Sequence, residues 1–289
     1  MAKGAKSGSV QAPVKKRSLK KALNDNSGFF FVLPWLIGFF VFKLYPFGSS
    51  LNYSFTDYGL HSKTTEYGIM NYLNIFTDTK ILKSLGVTFR YAFLTVPLKM
   101  VFALFIAYIL NFKIKGVNIF RTAYYIPSIL GGSVAIAVLW KAIFNDSGLM
   151  NTILGIFNIS PISWLTDANY ALFIICLLRV WQFGSAMVIF LAALKGVPEN
   201  LYEAASIDGA GKVRQFFCIT LPMIAPVVFY NLVTQLVQAF QEFNAPYVIT
   251  QGGPRNSTTL ISLLIYNNAF KMIRLDLQAH RLGCYLSLS

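Results

Sequence analysis

The sequence predicts an all-α fold, a polytopic membrane helical bundle, and three observations carry that prediction. Hydrophobic residues make up 55% of the 289 positions while charged residues make up 12%, about half the charged share with which a soluble domain covers its surface. Five apolar stretches, at 29–51, 85–110, 122–144, 170–191 and 221–243, each reach the roughly 20 residues an α-helix needs to cross a hydrocarbon core of about 30 Å. The basic residues are distributed unevenly between the connecting segments. Thirteen Lys and Arg fall in 1–27, 111–121 and 193–220, against four in 52–83, 145–168 and 244–258. Cytoplasmic loops carry the excess of Lys and Arg, so the first set is expected inside. The N-terminus is then cytoplasmic in a multi-pass protein of the cell membrane, and five complete spans leave the C-terminus outside.

The formal charge of +14 points to anionic lipid and not to nucleic acid, because no long basic face with interleaved aromatic residues accompanies it. Seven of the 25 cations crowd into the first 21 positions, and most others flank apolar stretches. Cys176, Cys218 and Cys284 are too widely spaced for a disulfide framework or a metal knuckle, and His61 and His280 stand alone. No metal site or cofactor is expected. The basic N-terminal region is too long, and the apolar run after it too extended, for a cleaved signal peptide.

Residues 1–27 are rich in Lys, Gly and Ser and are expected to be a disordered cytoplasmic tail, followed by a membrane domain over 28–270. Span one holds Pro34, Pro46 and Lys43. The segment 52–82, with Asp57, Lys63, Glu66, Asp78 and Lys80, is expected outside, with a short interfacial helix around Tyr72, Leu73, Ile75 and Phe76. Span two contains Arg90, Pro97 and Lys99. A charge within a span usually faces a bundle interior or a watery path, or reaches toward headgroups from a helix end; the second fate is preferred for Arg90. Lys113, Lys115 and Arg121 mark the next loop as cytoplasmic. In span three, Pro127 and Gly131–Gly132 permit a bend and close helix contact. Span four carries Arg179 and Trp181. Span five begins near Pro222 and Pro226 and ends near Glu242, a counter-charge for Lys99 or Arg179. Those three residues are the candidates for a solute path. A last stretch, 259–270, is too short to span alone.

The most informative segment is the polar loop 195–220, between spans four and five. It reads as two short helices joined at glycine, with Asp208–Gly209 as a strong turn signal. Leu201, Ala204, Ala205 and Ile207 offer a small, smooth face at helical spacing, and Glu199, Glu203 and Asp208 supply carboxylates beside it. Alanines let a partner approach closely and fixed charges set its register. On periodicity alone an ordinary interfacial connector helix fits equally well.

The pattern Glu203-Ala204-Ala205, Asp208-Gly209-Ala210, then Ile219, Leu221 and Pro222 resembles the signature loop of the membrane subunits of binding-protein-dependent ABC importers, with no position missing. Further stretches are similar to the sugar-permease branch of that family, of the maltose and glycerol-phosphate type: 120–127, Leu139-Trp140, Gly148 to Asn151, Trp164 to Asp167, and Gln251-Gly-Gly-Pro254 with Ser257-Thr258. The resemblance implies a permease that pairs with a second, homologous permease, two cytoplasmic ATPases and an extracytoplasmic solute-binding protein. It implies that 203–210 seats on the ATPase, with Glu203 as a charged anchor, Gly209 allowing a turn where a side chain would collide, and Pro222 starting span five. The chain has no Gly-rich loop ending in Gly-Lys-Ser/Thr, so it is not expected to hydrolyse ATP itself. The solute expected is a carbohydrate, with glycerol phosphate or peptide as alternatives. An ion-gradient carrier is disfavoured because it needs no docking loop and no internal repeat is visible; a membrane enzyme is disfavoured because polar catalytic residues do not cluster. Residues 271–289, with four charges and His280, depart from the family's sixth span and are read as an aberrant, truncated or frame-shifted tail that compromises assembly.

Overall fold

The computed structural model of the chain describes residues 27–56, 67–112 and 116–271. The expected disordered tail, Lys113, Lys115 and the tail after Lys271 lie outside them, as do Asp57, Lys63 and Glu66. The chain divides into two compact units, Met1–Ile75 and Phe76–Ser289.

In the first unit, span one is helical from Ser27–Phe39 through a π turn at Phe40–Leu44 into Tyr45–Ser54. Pro46 follows the π segment inside a helix that is continuous over Phe31–Ser54, and the wider turn accommodates its ring. The chain then returns through an isolated bridge between Thr56 and Tyr67. The Asn71 amide donates to the carbonyls of Ser54 and Thr56 at 3.2 and 2.9 Å, which ties the interfacial helix Met70–Thr77 to the end of span one.

The second unit is organised around span two, Thr79–Asn111, one helix of 33 residues capped by the Asp78 carboxylate on the Lys80 N–H. Its buried stripe, Tyr91, Ala92, Thr95, Val96, Lys99, Ala103 and Ala107, follows helical periodicity, and the alanines allow backbones to approach closely. Span four and span five both pack on this stripe. Cys176, Ala186, Met187 and Phe190 from span four complete the core.

Spans three and four are both broken: the bend expected at Gly131–Gly132 of span three is present, whereas the break in span four was not anticipated. Span three consists of Val117–Leu130 and Val134–Ile143, set at 102°. The break falls at Gly131–Gly132, and Ser133 restarts the helix by accepting from the Ala135 N–H at 3.2 Å. At 131 a Cβ would lie 2.6 Å from the far end of the Gln182 side chain, so a larger residue would displace that side chain. Span four consists of Ala168–Trp181 and Gly184–Lys195, bent by 44°. A break inside a membrane strands backbone polar groups that must find partners. Ser128 of span three supplies them: its hydroxyl donates to the Gln182 carbonyl and accepts from the Ser185 N–H, both at 3.0 Å. Gly184 beside it is required because a Cβ would run into the Tyr124 and Tyr125 backbone.

The expected external segments are more ordered than loops. Leu149–Ile156 is helical, and the Asn151 side chain binds the carbonyls of Asp146 and Ile162, the Ile162 N–H and the Trp164 indole N–H. That network accounts structurally for Asn151 and Trp164. Pro246–Thr250 forms a π turn packed against Val134–Ile143. Beyond it, Thr258 and Thr259 hydroxyls bind the Gly253 and Gly252 carbonyls at 2.7 and 3.0 Å, folding 251–259 into a closed turn.

Candidate functional site

The candidate loop is a helix, Glu199–Ile207, followed by a turn. Glu199 in the first turn favours the helix dipole. Tyr202, Ala205 and Ser206, three and four residues apart, form the inward face. Glu203, Ala204, Ile207 and Asp208 face outward and are exposed, Ile207 at 87%. The helix ends in a Schellman motif: the Gly209 N–H binds the Ser206 carbonyl at 3.1 Å and the Ala210 N–H binds the Ala205 carbonyl at 2.8 Å. Gly209 has φ of +76°, a left-handed conformation that glycine adopts without strain. The expectation of a collision at this residue is corrected, because a Cβ on Gly209 meets nothing within 4 Å. Its requirement is conformational.

The second short helix is not separate from span five, which corrects another expectation. Helix runs without interruption over Lys212–Phe240, 29 residues. A π turn at Phe216–Thr220 precedes Pro222, which therefore lies inside a continuous helix and does not start it. The wider turn accommodates a proline ring that would crowd the carbonyl four residues back. The Thr220 hydroxyl donates to the Gln215 carbonyl at 3.4 Å. Ile219 packs against the core, and Leu221 is half-buried beside it.

Two side-chain bridges join the loop helix to this long helix. The Tyr202 and Thr220 hydroxyls are 2.8 Å apart. The buried Gln215 amide donates to the Ser206 hydroxyl at 2.9 Å and to the Ala210 carbonyl at 3.0 Å. Tyr202, Ser206, Gln215 and Thr220 were not anticipated from the sequence. Their only signal there is a pair of polar residues four apart on the less charged side of the helix. A cleft of about 870 Å³ lies between the loop helix, Tyr108 and Asn111 at the end of span two, and Arg121.

Of the three candidates within the spans, Lys99 and Glu242 are buried and Arg179 is half-buried, and all three are engaged. Arg179 and Glu242 form an ion pair, Nε to Oε2, at 3.0 Å. Arg179 also donates to the Gln182 amide oxygen at 2.9 Å, and Glu242 Oε1 accepts from the Ala245 N–H at 3.2 Å. The Ser262 hydroxyl donates to the Glu242 carbonyl. Lys99 is 3% exposed and donates to Gln235 of span five at 2.8 Å, so it points into the bundle and not toward headgroups. Lys99 is within electrostatic reach of both members of the ion pair. A cavity of about 220 Å³ opens beside the pair, lined by Arg179, Gln182, Gln238, Gln241, Glu242 and Asn244. The glutamines and Asn244 were not anticipated.

Broken apolar helices around an amide-lined cavity, joined to a polar helix at one end, define an integral membrane permease. The chain belongs to the family of binding-protein-dependent transport system inner membrane components, whose profile matches residues 79–287. It is similar to a probable ABC transporter permease protein, YesP, of Bacillus subtilis, 46% identical over 271 residues that cover 92% of this chain and 87% of that one. The trehalose/maltose transport system permease protein MalF of Thermococcus litoralis is 35% identical over 246 residues, covering 83% and 82%. In fold the chain resembles a bacterial ABC transporter involved in the import of the acidic polysaccharide alginate, with a TM-score of 0.73, 22% identity and coverage of 93% and 94%.

Proposed function

We propose that this chain is the permease subunit of an ATP-driven carbohydrate importer, and that 199–222 is the lever through which cytoplasmic ATPases move spans four and five. The observation that carries the proposal is the double bridge, Tyr202 to Thr220 and Ser206 to Gln215. A connector that merely linked two spans would need no fixed angle to either. This helix is tied to the first turns of span five through its middle, at Tyr202, and through its last turn, at Ser206, so a push on its outward face is delivered to the long helix. Glu203, Ala204, Ile207 and Asp208 supply that face, with the carboxylates as anchors. Ala205 packs inward, Ala210 closes the turn, and Ile219, Leu221 and Pro222 belong to the helix that receives the motion.

Lys99, Arg179 and Glu242 stabilise the broken bundle beside the solute path, and the amides of Gln182, Gln238, Gln241 and Asn244 meet the solute. Amides donate and accept together, as sugar hydroxyls do. Arg179, the cation among the described residues lining the cavity, is paired with Glu242, so among the described residues the cavity presents no unpaired cation to a phosphorylated solute. At about 220 Å³ the cavity falls below the roughly 300–1,000 Å³ of a self-sufficient ligand site. A second permease completes it, an extracytoplasmic binding protein loads it, and the N-terminus lies in the cytoplasm.

The test is copurification of the ATPase with Glu203→Lys and Gly209→Pro variants at matched permease abundance. Loss of the ATPase from both supports the lever. Retention at the wild-type level in both removes it.

A further inference from the structure

At the end of the bundle opposite the loop helix, a second cleft is lined by three cations and no carboxylate. Its volume is about 650 Å³, and Lys83, Arg90 and Arg255 surround it together with Ser257. The helix Ala168–Trp181 contributes its first turn to the cleft, whereas the loop helix follows the far end of span four. Lys83, Gly86, Arg90 and Leu94 form one stripe of span two, spaced by three or four residues.

None of these charges is neutralised among the described residues. Lys83 donates only to the Arg255 carbonyl, at 2.7 Å. Neither the Arg90 nor the Arg255 guanidinium has a hydrogen bond or ion pair among the described residues. The Ser257 hydroxyl is buried and has no partner there. The carboxylates nearest in sequence are occupied as helix caps: Asp78 holds the Lys80 N–H at 2.7 Å and Asp167 holds the Asn169 N–H at 2.9 Å. The three cationic side chains are exposed, so water weakens their mutual repulsion, and an anion between them would be attracted by all three. Arginine in particular matches phosphate oxygens with paired N–H donors.

We propose that this cleft binds an anionic phospholipid from the leaflet opposite the loop helix, its phosphate between Arg90, Lys83 and Arg255 and its acyl chain along Leu94, Leu172 and Phe173. The apolar wall selects a lipid over a free phosphate. Leu94 and Phe173 are exposed, as are Phe89 and Phe93 on the same outward side of span two, and a bare anion would leave that wall uncovered. The assignment does not depend on which solute is carried.

To test it, the full-length chain with its copurifying subunits is reconstituted in nanodiscs of phosphatidylcholine and phosphatidylglycerol, then extracted, and the retained lipid is counted by mass spectrometry. Wild type is expected to be enriched in phosphatidylglycerol. Arg90→Gln is expected to lower that enrichment about fivefold, the equivalent of about 1 kcal/mol per basic side chain. Gly86→Leu is the second variant. A Cβ at Gly86 meets nothing within 4 Å, leucine favours a helix over glycine, and Gly86 lines the cleft, so the added side chain takes up cleft space; the same loss is expected with every charge retained. Lys80→Gln, on the same helix but outside the cleft, should retain the wild-type ratio. Equal losses from Lys80→Gln and Arg90→Gln would reduce the effect to diffuse surface charge and overturn the site. Unchanged enrichment in both Arg90→Gln and Gly86→Leu would do the same. Displacement of the lipid by inorganic phosphate or glycerol 3-phosphate in excess would show a free-anion site and overturn the lipid assignment.

Discussion

The Tyr202 hydroxyl meets the Thr220 hydroxyl at 2.8 Å, 18 residues along the chain and on the far side of a glycine turn. Both residues belong to helices, so the bond fixes the angle between them. With the Gln215 amide on Ser206 at 2.9 Å, it holds the loop helix against the start of span five.

Removing that bond should separate docking from transmission. Tyr202→Phe keeps the ring and deletes one hydrogen bond, at a cost of about 1 kcal/mol. ATPase copurification is expected to stay at the wild-type level while solute uptake per ATP hydrolysed falls, measured in proteoliposomes. A parallel fall in both quantities would place Tyr202 in the docking contact itself.

Gly209 should tolerate size but not handedness. Its φ of +76° costs an L-residue about 1–2 kcal/mol, and asparagine bears that cost more easily than alanine or valine. The Ala210 amide, bonded to the Ala205 carbonyl at 2.8 Å, is the reporter. Hydrogen exchange at Ala210 should quicken in the order Asn, Ala, Val. Equal exchange in all three would show that the turn does not depend on glycine.

The Arg179–Glu242 pair should behave as a unit. Removing one partner leaves the other charge uncompensated; Arg179, at 23% exposed, can rehydrate, so the cost falls below the roughly 3–5 kcal/mol of a fully buried pair. Arg179→Gln and Glu242→Gln are each expected to lower the melting temperature of the solubilised protein more than the double variant does. Additive losses in the double variant would mean that the two side chains stabilise the bundle independently.

Two glycines near the breaks should differ in kind. Gly184 faces backbone of Tyr124 and Tyr125, which cannot move aside, whereas Gly131 faces the movable end of Gln182. Gly184→Ala is therefore expected to reduce folded yield. Gly131→Ala should keep the fold but push Gln182 off Arg179 and change solute affinity, read by competition uptake. Equal yields for the two variants would show that the packing at Gly184 can relax.

Much of this was legible in the sequence because it is local or statistical. Span positions follow from apolar length, and the bend at Gly131–Gly132 and the turn at Asp208–Gly209 follow from residues with special backbone freedom. The burial of Lys99 was not legible: nine residues from the equally cationic Arg90, it lies on the opposite face of the same helix, and nothing in one dimension says which of the two faces is inward. Arg90 lines an edge cleft while Lys99 points inward to Gln235. Only the rotation of span two against its neighbours distinguishes them. The break in span four likewise has no strong local marker, because it is stabilised by Ser128, more than 50 residues earlier.

By itself, then, the chain's order of residues determined an all-helical membrane protein, the loop that identifies its family and the glycine on which that loop turns. These properties depend on neighbours a few positions apart, where hydropathy and backbone preference act directly. Tertiary structure alone decided which polar residues meet: Tyr202 with Thr220, Ser206 with Gln215, Arg179 with Glu242, and three cations around one cleft. In a bundle whose backbone bonds are satisfied within each helix, the remaining choices are helix rotation and register, and those are set by packing between distant segments.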